Sequence, residues 1–172
     1  MKTRRDRGAL AEAEIVAGPR AALEVLRAGR RAVRRLILAR QEAGAAVERI
    51  LALARAREVP VETRAREDLD RVAQGTVHQG VLAEVGPFPY ADAAALVARA
   101  AEGSCPGFLL ALDGIQDPQN LGAIIRSAEA AGVQGCLLPR DRAAGVTAAA
   151  VRASAGATEH LAIARVTNLA AF

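Results

Sequence analysis

The chain has 172 residues, room for one large domain or two small ones, and its 23 Lys and Arg against 19 Asp and Glu give a net charge of +4. With no Trp, one Tyr and three Phe, its cores must be assembled from Ala, Leu, Val and Ile. No apolar run approaches the ~20 residues of a membrane helix, no apolar signal segment opens the chain, and Cys105 and Cys136 stand apart without a CxxC or a His pair, which argues against a zinc site and fits a reducing cytoplasm.

Residues 1–12 read as a basic N-terminal arm, with Arg4, Arg5 and Arg7 as candidate nucleic-acid contacts beside the alternative of a solvated tail. A first domain is expected over residues 13–86. Pro19 suits the first turn of a helix that runs to about Ala28, where Gly29 stops it. Residues 33–39 read as a strand with Leu36, Ile37 and Leu38 at its buried centre. Val47, Ile50, Leu51 and Ala54 recur at helical spacing over residues 45–57. A short strand over 59–62, a helix over 67–73 and a strand over 81–85 complete an order α-β-α-β-α-β, a small sheet between helices.

The prolines of residues 86–90 (GPFPY) mark a boundary, and residues 87–107 read as a linker whose Ala-rich helix, 91–101, bridges two domains. From residue 108 a second α/β pattern begins. The apolar run 108–112 (FLLAL) reads as a strand buried on both faces of a parallel sheet. A helix over 118–131, a strand over 135–138, a helix over 146–153 and a strand over 161–166 follow, with Thr167 as the N-cap of a further helical turn. Three strands make a poor independent sheet, so this domain, 108–172, reads as incomplete, with an exposed edge and apolar surface.

Charge divides the same way. Residues 1–80 carry 17 Arg or Lys against 11 acids, a balance of +6, whereas residues 81–172 carry 6 against 8, a balance of −2. The first half therefore faces a polyanion. Only Lys2 is lysine. The guanidinium fork suits phosphate and favours RNA, although GC-rich coding accounts equally well for the choice of Arg over Lys.

The chemistry concentrates in residues 112–131, LDGIQDPQNLGAIIRSAEAA. Asp117 is a good N-cap, Pro118 fits the first helical position, and Leu121, Ile124, Ile125 and Ala128 form one apolar stripe. Arg126 then points away from that stripe and Asn120 flanks it. Gly122 leaves space for close approach to the backbone. The loop before the helix lies beyond the carboxyl end of a strand, where open parallel sheets bind ligands. There is no G-x-G-x-x-G and no P-loop, and no Cys or Ser is placed with a His as in a hydrolase.

The string 117–128, DPQNLGAIIRSA, closely resembles the first motif of the SpoU/TrmH-type RNA 2′-O-ribose methyltransferases of the SPOUT superfamily. Residues 151–159, VRASAGATE, are similar to that family's second motif, and 138–142, LPRDR, match in kind. Residues 17–24, AGPRAALE, and 77–81, VHQGV, resemble the ends of its N-terminal RNA-substrate-binding domain. The resemblance implies a small α/β/α RNA-substrate-binding domain followed by the N-terminal part of an α/β-knot parallel-sheet domain. It is closest to bacterial enzymes that methylate guanosine ribose in 23S ribosomal RNA. It implies S-adenosylmethionine as cofactor, no metal, ribosomal RNA as partner, no membrane and a homodimer.

Carried over by motif, Asn120, Arg126 and Glu159 fall at the active site. The family's third motif, which forms most of the cofactor pocket, has no counterpart before Phe172, so cofactor binding is expected beyond that residue and the chain alone is expected to be inactive. The resemblance offers Arg126 as the group that activates the hydroxyl. Since a guanidinium keeps its proton below pH ~12, binding the neighbouring phosphate and steadying the developing alkoxide is the other reading. Glu159 orients Arg126 or is a surface acid. Arg30 and Arg31, with Arg34 and Arg35, are candidate phosphate contacts. His78 and Gln79 touch a base or shape a turn. The rival reading is a non-catalytic RNA-binding protein with an oligomerisation module.

Overall fold

The computed structural model describes residues 13–102 and 106–172. The arm with Arg4, Arg5 and Arg7, and Cys105, lie outside the described residues.

The first unit is a four-stranded sheet in the order β1-β4-β2-β3, formed by β1 (Glu14–Ala17), β2 (Val33–Ala39), β3 (Val61–Arg64) and β4 (Val81–Val85). β4 runs antiparallel to both β1 and β2, and β2 runs parallel to β3. Strand alternation divides the apolar residues between the two faces. Leu36, Leu38, Val81, Ala83 and Val85 pack toward α1 (Pro19–Ala28) and α2 (Ala45–Ala56). Ile37, Ala39 and Leu82 pack toward Leu69 and Ala73 of α3 (Arg66–Ala73). α1 ends where Gly29, at φ 61, returns its N–H to the carbonyl of Val25.

β1 is absent from the expected order, because four residues are too few to show a period and its partner β4 is remote in sequence. β3 starts two residues later than expected. Pro60 has no N–H to pair, and its carbonyl instead accepts from Leu36 N at 2.8 Å as the lead-in to the strand.

The second unit is a parallel sheet β5-β6-β7 of Leu109–Ala111, Gly135–Pro139 and Ile163–Val166. On one face lie α5 (Pro118–Ala130) and α6 (Ala148–Ala153). The other face is covered by α4 (Ala93–Ala101), whose Ala93 and Leu96 pack on Leu137, Ala164 and Val166. The linker helix therefore belongs to the second unit rather than bridging the two. It begins at Ala93 because Asp92 caps it, accepting from Ala95 N at 2.8 Å, while Ala91 N still bonds to Ile163 O alongside β7.

Two further expectations are corrected. β5 is not buried on both faces: it is an edge paired only with β6, its leucines are half-buried, and Phe108 before it is 51% exposed. Thr167 starts no helix. Asn168 instead accepts from Ala170 N at 2.9 Å and Ala171 N at 3.3 Å, an Asx-type turn.

The units share one apolar cluster, which continues from Val16, Ala22 and Phe88 to Leu121, Ile125, Val151 and Leu161. A short sheet that would be marginal alone is thus packed against a formed neighbour.

Candidate functional site

α5 is positioned by its own sequence. Asp117 caps it by accepting from Gln119 N at 2.8 Å, and Pro118 occupies the first turn. Leu121, Ile125 and Ala128 are buried, so Arg126 projects outward and exposed. Gly122 is approached by α6, not by a ligand. A Cβ there would lie 2.5 Å from the carbonyl oxygen of Ala150 and 2.6 Å from Ala153 Cβ.

That close packing brings Arg152 of α6 beside Arg126 of α5 at one wall of a cleft between the two units. The opposite wall comes from the end of β1 and the start of α1, including Arg20, and from the turn holding Gln79. The cleft has a volume of about 470 Å3, and no carboxylate lines it. Among the described residues, Arg20, Arg126 and Arg152 have no acidic partner. Gln79 at φ 47 and Ala155 at φ 52 turn the backbone at its edges through the left-handed region, uncommon for residues with a Cβ. The first turn of α1 adds the positive end of its dipole.

The structure sorts the sequence candidates. Arg126 and Gln79 line the cleft, whereas Asn120 is exposed in the first turn of α5 and does not. Glu159 is neither a surface acid nor a partner of Arg126. It is 1% exposed and paired with Arg31, whose Nε donates to Oε2 at 3.0 Å while Nη2 donates to Oε1. Arg31 also donates from Nη1 to Glu14 at 2.7 Å. It is therefore no phosphate contact, since its guanidinium is buried and committed between the units.

Arg30 is likewise redirected, donating to the Leu161 carbonyl at 2.8 Å. Burial pulls its guanidinium below the ordinary value, and the charge of Glu159 acts against that shift. Both guanidiniums lie over the Phe88 ring, at 5.9 and 5.3 Å from its centroid. Arg34 and Arg35 turn to acids of the first sheet: Arg35 meets Glu84 and Glu62, each at 2.7 Å, and Arg34 lies 3.9 Å from Glu84. His78 is 3% exposed. Its Nδ1 accepts from Gly80 N at 3.0 Å, which leaves the Nε2 proton for Asp70 at 2.8 Å. It shapes the turn before β4, while Gln79 lines the cleft.

Arg20 and Arg152 are the residues that sequence reasoning missed. Each lies inside a segment already singled out, but nothing local announces that the two face one space.

A second opening of about 440 Å3 lies at the carboxyl ends of β6 and β7, with Arg140, Arg165, Asp92 and Thr167 on its walls. No group of three or more His, Cys, Asp or Glu able to hold a metal is found among the described residues.

Residues 107–172 match the SpoU rRNA Methylase family, and residues 15–91 match the RNA 2′-O ribose methyltransferase substrate-binding family. An uncharacterized tRNA/rRNA methyltransferase of Mycolicibacterium vanbaalenii is 40% identical over 158 residues, 92% of this chain and 50% of the relative. A Bacillus subtilis protein assigned to the TrmH family of tRNA/rRNA methyltransferases is 37% identical over 157 residues, 91% of this chain and 62% of its own length. This chain thus spans about half the length of the curated relatives it matches. Among solved structures, the SpoU methyltransferase AviRb of Streptomyces viridochromogenes superposes with a TM-score of 0.70 at 25% identity, over 98% of this chain and 59% of that one. AviRb has also been solved in complex with the cofactor AdoMet. With two family matches in chain order on a shared α/β fold, the chain belongs to the SpoU/TrmH family of tRNA/rRNA methyltransferases.

Proposed function

We propose that this chain carries the acceptor side of a ribose 2′-O-methyltransferase acting on ribosomal RNA, working in the cytoplasm as a homodimer at the length of its relatives. The observation behind this reading is Arg126, an unpaired guanidinium on the motif helix that faces the substrate-binding unit across a positively charged cleft. S-adenosylmethionine is the proposed methyl donor and would supply an electrophilic methyl on sulfur. The roles proposed for this chain's residues are confined to the acceptor.

The ribose hydroxyl is a poor nucleophile, and its oxygen gains negative charge as its proton leaves. Arg126 would bind the adjoining phosphate, hold the ribose in line for displacement and stabilise the alkoxide as it develops. Asn120, one helix turn or more away on α5, would order the loop that borders the acceptor through hydrogen bonds. Glu159 is committed to Arg31 and is given no role at the acceptor in this reading.

The test is transfer of labelled methyl from S-adenosylmethionine to ribosomal RNA, measured with this chain and with the protein carried to its relatives' length. Arg126→Ala is expected to lower turnover of the longer protein roughly 100-fold or more, in the range found for losing one oxyanion-stabilising donor. Undiminished turnover would exclude both roles of Arg126. RNA binding with no methyl transfer by either protein would favour the non-catalytic RNA-binding reading.

A further inference from the structure

Seven of the 13 arginines of residues 13–86 pair with carboxylates within the fold. Arg27 meets Glu24, Arg64 meets Glu62, Arg66 meets Glu42 and Arg71 meets Asp68, alongside the pairs of Arg31 and Arg35 already described. Arg20, Arg126 and Arg152, in contrast, turn into one cleft that no carboxylate lines. Three like charges brought to one space repel one another, an arrangement that a bound polyanion relieves. Arg126 is assigned to the acceptor phosphate, which leaves Arg20 and Arg152 on facing walls with nothing to hold.

We propose that Arg20 and Arg152 form a two-sided clamp on the phosphodiester backbone of single-stranded RNA, one grip from each unit. The proposal rests on the RNA-methyltransferase reading above and names the form of substrate that the site accepts. Guanidinium forks meet phosphate oxygens in bidentate pairs. About 470 Å3 falls within the span of single-ligand pockets, ~300–1,000 Å3, so the cleft has room for a single extruded nucleotide. Its walls also suit an unpaired base. Val77 leaves 61% of its surface exposed at the edge, offering an apolar face, and Gln79 presents an amide able to pair with a base edge. Single-stranded loops with splayed bases are where proteins read RNA sequence, since side chains do not enter the deep A-form groove.

The experiment is fluorescence anisotropy of this chain with a short single-stranded oligoribonucleotide and with the same sequence as a duplex, over a range of salt concentrations. Tighter binding of the single strand is expected. Arg20→Ala and Arg152→Ala should each weaken it roughly fivefold to tenfold and lower the slope of log affinity against log salt by about 0.7. Arg20→Lys and Arg152→Lys should recover the slope but only part of the affinity, because charge returns without the fork. Arg55→Ala, on the exposed side of α2 away from the cleft, should change neither quantity. Wild-type binding that both alanine variants retain would overturn the clamp and leave the RNA reading standing. Preference for the duplex would overturn the single-strand assignment. No RNA binding by the wild-type chain at low salt would overturn the clamp and the RNA reading together.

Discussion

Cys136 shows how burial sets the chemistry of a single residue. It lies in β6 with no exposed surface, and burial pushes its thiol up from 9.0 to about 12. Thiol reactivity belongs to the thiolate, so Cys136 should resist alkylation in the folded chain at pH 8 and react once the chain is unfolded. Mass spectrometry of the Cys136 peptide after maleimide treatment checks this, and full native labelling would contradict it. In the unfolded chain the thiol ionises from about pH 9, while the folded one stays protonated toward about 12. Through this residue stability is therefore complete below pH 9 and falls as pH rises across that window. The candidate site was partly legible at the same scale. The outward direction of Arg126 followed from the apolar stripe of its helix, while its candidacy came from the resemblance of residues 117–128 to a family motif. Glu159 and Arg31 misled because a charged side chain next to a turn gives no local sign that a remote partner will bury it.

The meeting of α5 and α6 is decided by one missing side chain. In an exposed helix interior, Gly→Ala stabilises by up to ~1 kcal/mol. At Gly122 the added Cβ would sit 2.5 Å from the Ala150 carbonyl oxygen and 2.9 Å from Ser154 N, both backbone atoms of the neighbouring helix and its cap. Backbone cannot swing aside as a flexible side chain does, so Gly122→Ala should destabilise by ~1–3 kcal/mol. Urea unfolding followed by circular dichroism reads this, and a gain in stability would show that α6 moves freely. The same substitution should also widen the cleft, since α6 carries Arg152. Elements with a cap and a stripe, such as α1 and α5, were legible from their sequence. β1 and β3 were not placed correctly, because a strand of four residues is defined by the strand it pairs with rather than by its own pattern.

The two units are joined through a buried joint of charges and a ring: Arg31 with Glu159 and Glu14, Arg30 on the Leu161 carbonyl, and both guanidiniums over Phe88. Removing one side of such a pair leaves an uncompensated buried charge. Glu159→Ala should cost about 3–5 kcal/mol of stability, lessened by the pairing that Glu14 retains. Replacing both partners by apolar residues, Arg31→Met with Glu159→Leu, should restore most of that loss. Thermal and urea unfolding of the single and double variants decide the matter, and a single variant as stable as wild type would show that the joint is dispensable.

What the sequence by itself determined is the order of α and β segments from α1 to β7, the gathering of positive charge in the first half, and the motif helix with Arg126 facing outward. Each depends on period, capping or composition over a few neighbouring residues. Only the tertiary structure decided which charges are free. Arg20 and Arg152 lie 132 positions apart yet open on one cleft, while Arg31, read as a phosphate contact, and Glu159, read as a partner of Arg126 or a surface acid, lie buried against each other. Whether a guanidinium faces water, phosphate or a carboxylate is settled by how the two units pack, and that is a non-local property no window of sequence contains.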